Sequence, residues 1–156
     1  MKKIEEICEE YALALCYIFG SQKEAGKTLL KGNNVEVEDP ESDIDFAVLF
    51  ASPPENPLEI YALLSLDIQD LFSPFKADLL FLHEVDHLIQ LEVIKGINVF
   101  SVNEQVRESY EEKVMTFASD ELEIFKCNER DLLEAIKDGY FEFEYKANRR
   151  QNRVYK

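Results

Sequence analysis

"SDIDFAVLF", residues Ser42 to Phe50, sets two aspartates one residue apart at the mouth of an otherwise apolar run. Read as a strand, it puts Asp43, Asp45 and Ala47 on one face and Ile44, Phe46, Val48 and Phe50 on the other. The second face is a core face. The first carries like charges side by side, which costs free energy unless something cationic sits between them.

Two neighbouring segments supply related residues. "LCYIFGS" reads as a short buried strand ending at Gly20-Ser21. "KADLLFL" reads as a third strand, with Asp78 among leucines where a charge is expensive. In a chain with 32 acids a lone D-x-D means little, and an edge or capping role suits any one of these aspartates. It does not suit all three together. Three carboxylates on one sheet face make a hard-oxygen site suited to magnesium. Two such ions bridge the phosphates of a nucleotide, activate an attacking hydroxyl and stabilise the leaving pyrophosphate. Gly20-Ser21 offers the same phosphates a close backbone approach, an N–H and a hydroxyl.

Two other motifs compete and fit less well. "GSQKEAGKT", Gly20 to Thr28, nearly spells a P-loop, but five residues instead of four precede the Gly26-Lys27 pair. The acid that a P-loop places at the end of a later strand here opens it. "HEVDH", His83 to His87, is a literal H-E-x-x-H, the pattern that sets two zinc ligands on one helical face around a general base, Glu84. These are the only two histidines, and Glu108, Glu111 or Glu112 would have to serve as third ligand. His83 also follows an apolar strand directly, which places it at a strand end and not within a helix.

The remaining pattern fits an α/β (α+β) chain with a small sheet. Residues 3 to 14 have helical spacing, with Ile4, Ile7, Cys8, Tyr11 and Leu15 apolar. "KTLLKGNNVEVEDPE" reads as a hairpin or loose loop, and the whole segment Lys23 to Pro40 as exposed and mobile. Asn56-Pro57 starts a helix with a stripe of Leu58, Tyr61, Leu64, Ile68 and Leu71. A helix follows near 86–94, then the strand "INVFS". Ser101 with Glu104 suggests a capping box, Asn128 the cap of a last helix, and Gly139 its end or kink. Residues 1–102 form the expected core and 103–156 a helical extension packed on it.

At 156 residues the chain can bury a core without staples. A net charge of −15 argues against gripping nucleic acid with the whole surface, since phosphate binding runs on Lys and Arg. The tail "KANRRQNRVYK" is basic, a solvated end or a contact for phosphate or an acidic partner. No run reaches membrane-helix length. Three cysteines without close pairing, and acids soon after the Lys-Lys start, point to a reducing cytoplasm and small core thiols.

The combination "YIFGS … SDIDFAVLF … ADLLFL" resembles the nucleotidyltransferase fold of the DNA polymerase β superfamily, and more narrowly the minimal nucleotidyltransferases of the MNT family. The likeness extends through "LIQLEVIKGINVFSVNEQVRESYEEKV", covering about residues 10 to 120. It implies that Gly20 and Ser21 bind nucleotide phosphates, that Asp43 and Asp45 ligate both magnesium ions, and that Asp78 completes the catalytic metal site. Family members move a nucleoside monophosphate from an NTP such as ATP to a hydroxyl. Many MNT proteins are antitoxins that silence a HEPN-domain ribonuclease toxin by attaching AMP to a tyrosine. Two departures stand out. Lys23 to Pro40 lengthen the gap between Gly-Ser and D-x-D, and Gln22 stands where an Arg is usual, which leaves Lys23 or Lys27 as phosphate contacts. The readings that remain beside the antitoxin enzyme are a non-catalytic binding module and a transferase acting on a small molecule; homo-oligomerisation is left open.

Overall fold

A computed structural model describes residues 2–36, 39 and 41–139. Among them the order is α1 (Ile4–Glu10), β1 (Leu13–Phe19), α2 (Lys23–Leu30), β2 (Asp43–Phe50), α3 (Pro57–Phe72), β3 (Lys76–Phe81), α4 (His87–Ile94), β4 (Ile97–Ser101) and α5 (Glu104–Lys137), with a 3-10 turn at Leu82–Glu84. The sheet order is β3-β2-β1-β4. β1 lies antiparallel to both β2 and β4, while β2 and β3 run parallel, joined through α3. This is the small mixed sheet flanked by helices that the sequence predicts. The chain divides into two compact units, residues 1–121 and 122–156.

Period-two patterning decides how the sheet is covered. Cys16, Ile18, Ile44, Phe46 and Val48 are buried with Ile4, Ile7 and Cys8 of α1 and Leu64, Ile68 and Phe72 of α3. Leu15, Tyr17 and Ala47, one residue out of phase with those, pack with Leu82 and with Val93 of α4 on the opposite face. Val114 and Ala118 of α5 are buried as well, and the Tyr17 hydroxyl donates to Glu111 at 2.9 Å. The N-terminal helix is fixed from its end: the Tyr11 hydroxyl donates to Asp67 of α3 at 2.6 Å.

Several local expectations are corrected. The first helix stops at Glu10, because Ala12 turns into the left-handed region (φ 51°) and Leu13 already belongs to β1. "KTLLKG" is no hairpin arm. Lys23–Leu30 is helical, with Ala25, Leu29 and Leu30 packed on the core, so the first half of the Lys23–Pro40 segment belongs to the fold. Gly26 makes this possible: a Cβ there would meet Ile18 and Ile44 side chains at 3.1–3.2 Å. In α3 Leu64 and Ile68 are buried with Phe72, Leu71 packs half-buried on the core and Tyr61 stacks on Phe81, but Leu58 is 87% exposed and falls outside the stripe. The cap of α5 is Asn103, whose Oδ1 accepts from the Val106 N–H at 2.8 Å, while Ser101 remains in β4 and donates to Asn98. Asn128 caps nothing, since α5 runs through it, and Gly139 lies just past the helix end, its N–H bonded to Ile136. The basic tail from Lys146 to Lys156 lies outside the described residues.

Gly96 seats β4 against β1. A Cβ at this position would stand 2.4 Å from the Ile18 carbonyl oxygen and 3.0 Å from Phe19 Cα. Backbone atoms cannot swing aside as a side chain does. Gly96→Ala should therefore cost ~2–3 kcal/mol, which lowers Tm by about 5–10 °C in a chain of this size. Thermal unfolding tests it, and an unchanged Tm would mean that the strands have room to part.

Candidate active site

The four acid-face positions come from two adjacent strands. In the parallel β2–β3 ladder Asp45 is the register partner of Asp78 and Asp43 that of Lys76. Residues two apart on a strand share a face, so Asp43, Asp45, Asp78 and Lys76 project to one side. It is the side of Tyr17 and Ala47, at the end of the sheet where the helix cover stops: Asp43 and Asp45 are half-buried and Asp78 is exposed. From the other side β1 delivers Phe19, which pairs with Asp45, and then Gly20-Ser21.

Gly20 has φ 78°, and a Cβ on it would lie 2.3 Å from Asp45 Oδ2. The bare backbone thus touches the carboxylate, and no other residue type fits without moving it. Ser21 follows, exposed, in the turn before α2. Lys23 occupies the first position of α2 and is half-buried; Lys27 lies a turn further along it and is exposed.

Burial raises the Asp45 pKa above the ordinary carboxylate value, and the negative charges of Asp78 and Asp43 add to the effect. Asp45 therefore senses both neighbouring carboxylates. Among the described residues no group of three or more His, Cys, Asp or Glu side chains could hold a metal ion as placed, so Asp43, Asp45 and Asp78 share a face without closing into a cage. Magnesium, which keeps waters and is held through one or two carboxylates together with substrate phosphates, needs no such cage. The donor set of carboxylate oxygens beside an open backbone approach at Gly20 fits such an ion.

The histidine motif is placed elsewhere. His83 sits in the 3-10 turn after β3 and His87 opens α4, so the two do not share a helical face. Nε2 of His83 is 2.7 Å from the Tyr61 hydroxyl and Nδ1 of His87 is 2.5 Å from Glu121. Glu111, a candidate third ligand, is occupied by Tyr17 and Arg107. Nor is there a P-loop: Gly26 and Lys27 lie inside α2. A cleft among the described residues, between α2 and the segment before β2, is lined by Glu24, Glu36 and Asp39, which repel a polyphosphate, and Asp43, Asp45 and Asp78 are not among its lining residues. Lys76 is the one residue of this face that local sequence patterns do not single out. Only its pairing with Asp43 across a parallel ladder places it there.

Residues 2–105 match the family model described as polymerase beta, nucleotidyltransferase. No curated protein matches the sequence. Among solved structures, a chain from the complex of tri-AMPylated Shewanella oneidensis HEPN toxin with MNT antitoxin is similar in fold, with a TM-score of 0.58 at 18% identity, over 83% of this chain and 92% of that one. A second crystal structure from Shewanella oneidensis gives a TM-score of 0.57 at 17% identity over the same shares, 83% and 92%. No described helix is long and apolar enough to cross a membrane. With the family model covering two thirds of its length, this chain belongs to the polymerase beta nucleotidyltransferase family.

Proposed function

We propose that the chain is an antitoxin-type adenylyltransferase, which moves AMP from ATP onto a tyrosine hydroxyl of a HEPN-domain partner and so silences it. The observation that carries this reading is the pairing of Asp45 with Asp78, beside Asp43 and against the bare backbone of Gly20. The fold likeness to a complex whose toxin is AMPylated and whose other component is an MNT antitoxin supports the choice of acceptor.

The residues divide the work by position. Gly20 and Ser21 receive the triphosphate through an N–H and a hydroxyl, with Lys23 and Lys27 as nearby cations for its outer phosphates. Asp43, Asp45 and Asp78 would hold magnesium, which supplies neutralisation of the triphosphate and Lewis acidity toward the acceptor oxygen. That oxygen bonds to the α-phosphorus, the bond from this phosphorus to the bridging oxygen breaks, and pyrophosphate leaves. Asp78, on the far side of β2 from Gly20, faces the acceptor and takes up the hydroxyl proton.

The test is mass spectrometry of a purified HEPN partner after incubation with ATP and magnesium. Addition of AMP to a tyrosine is the expected result. An unmodified partner that is nonetheless inhibited would favour a non-catalytic binding module, and AMP found only on small molecules would favour the remaining alternative.

A further inference from the structure

We propose that Lys76 is an acceptor-binding residue, whose ammonium group receives an oxyanion carried next to the hydroxyl that is attacked. The inference rests on the transfer reading and adds a specificity determinant to it. Sheet order provides the first step. β2 separates β1 from β3, so the phosphate-receiving turn at Gly20-Ser21 and the pair Lys76 and Asp78 lie on opposite sides of Asp43 and Asp45. Gly20 touches Asp45 from the β1 side, which places the nucleotide there. The β3 side is left to the acceptor.

Charge provides the second step. Without their ions Asp43, Asp45 and Asp78 repel an anionic acceptor, and Lys76 is the only cation that the ladder itself sets among them. It is exposed, and among the described residues its Nζ forms no ion pair within 4.0 Å, although Asp43 is its register partner. A lysine whose role was to screen Asp43 would be expected to close on it. An exposed ammonium standing beside the acids is instead available to a ligand that approaches from β3. A hydrogen bond to a charged group contributes about 1.5–3 kcal/mol, so the discrimination it supplies should be roughly tenfold or more.

Two sources can present the oxyanion: a carboxylate beside the acceptor tyrosine, or the phosphodiester of an AMP already attached to it. Calorimetry in the presence of magnesium and α,β-methylene-ATP, whose carbon bridge from the α-phosphorus transfer cannot break, separates them with three probes. These are N-acetyltyrosinamide, the capped peptide Glu-Tyr-Glu, and O-adenylyl-N-acetyltyrosinamide. The wild type should bind an anionic probe about tenfold tighter than the neutral one. The peptide would identify a carboxylate and the adenylylated probe a phosphodiester. Lys76→Gln should erase the preference and Lys76→Arg should keep it. Both variants should keep affinity for the nucleotide analogue and Tm, which a phosphate-gripping or screening lysine would not. A wild type that binds no analogue would overturn the transfer reading itself. One that binds the analogue but treats the three probes alike, or a Lys76→Gln variant that loses the analogue in equal measure, would overturn the assignment of Lys76 alone.

Discussion

Asp43→Asn/Asp45→Asn should lose nucleotidyl transfer by roughly a thousandfold or more, yet melt no lower than the wild type when metal is absent. The activity loss follows from removing both carboxylates that would hold magnesium against the triphosphate. Several kcal/mol of transition-state stabilisation disappear with them, and ~4 kcal/mol is about a thousandfold in rate. The stability half follows from the raised pKa of Asp45, whose ionised form the fold disfavours through burial and the charges of Asp78 and Asp43. A group with a raised folded pKa adds stability below its unfolded value, and that contribution is lost as pH rises through the folded one. At neutral pH the wild type therefore carries a penalty that two neutral amides relieve. A Tm higher by up to about 2–4 °C is expected, the shift that ~1 kcal/mol produces in a chain of this size. The advantage should shrink as pH falls through the carboxylate range. Scanning calorimetry with chelator present measures one half and transfer to a HEPN partner the other. A double variant that still transfers AMP would sink the carboxylate site. One that has lost transfer but still neutralises the partner fully would show that contact alone suffices.

How much of this was legible beforehand varied with the range of the determining interaction. The acid strand was readable because alternation alone separates Asp43 and Asp45 from Ile44, Phe46 and Val48, and the buried partners agree. Asp78 stands out in sequence as a charge in an apolar run, but β3 is an edge strand and Asp78 is exposed on it, so no burial cost marks it; the ladder alone sets it beside Asp45. The helix α2 was not. Its sequence contains Gly26 and leads into Gly32-Asn33-Asn34, all turn-formers locally, but tertiary packing overrides them: Gly26 is what lets the helix press against Ile18 and Ile44. The end of α1 is not legible locally, because Leu13 and Leu15 continue an apolar pattern that suits either period. Ser101 and Asn103 are both good caps two residues apart, and β4 claims the first. Lys76 lay beyond any local reading, since nothing in one strand announces its register against another.

Gly20→Ala should lower transfer by about a hundredfold while costing only about 1–2 kcal/mol in stability. Two separate effects act at this position. The backbone is left-handed, at φ 78°, and an L side chain there costs roughly 1–2 kcal/mol. The new methyl would also lie 2.3 Å from Asp45 Oδ2, a contact that has to be relieved. The obstructing atom is the end of a side chain, so the carboxylate yields and the backbone keeps its course. The fold survives, but Asp45 leaves its place beside Asp78, and a displacement of about 1 Å at a reacting centre costs on the order of a hundredfold. Gly32 separates the two effects. It has φ 79° and, among the described residues, nothing within 4 Å of an added Cβ, so Gly32→Ala carries the backbone cost alone. The two variants should lose comparable Tm, by about 2–8 °C, and only Gly20→Ala should lose activity. Equal activity in both would mean that Asp45 has a second productive position, and that the close approach at Gly20 serves the turn and not the chemistry.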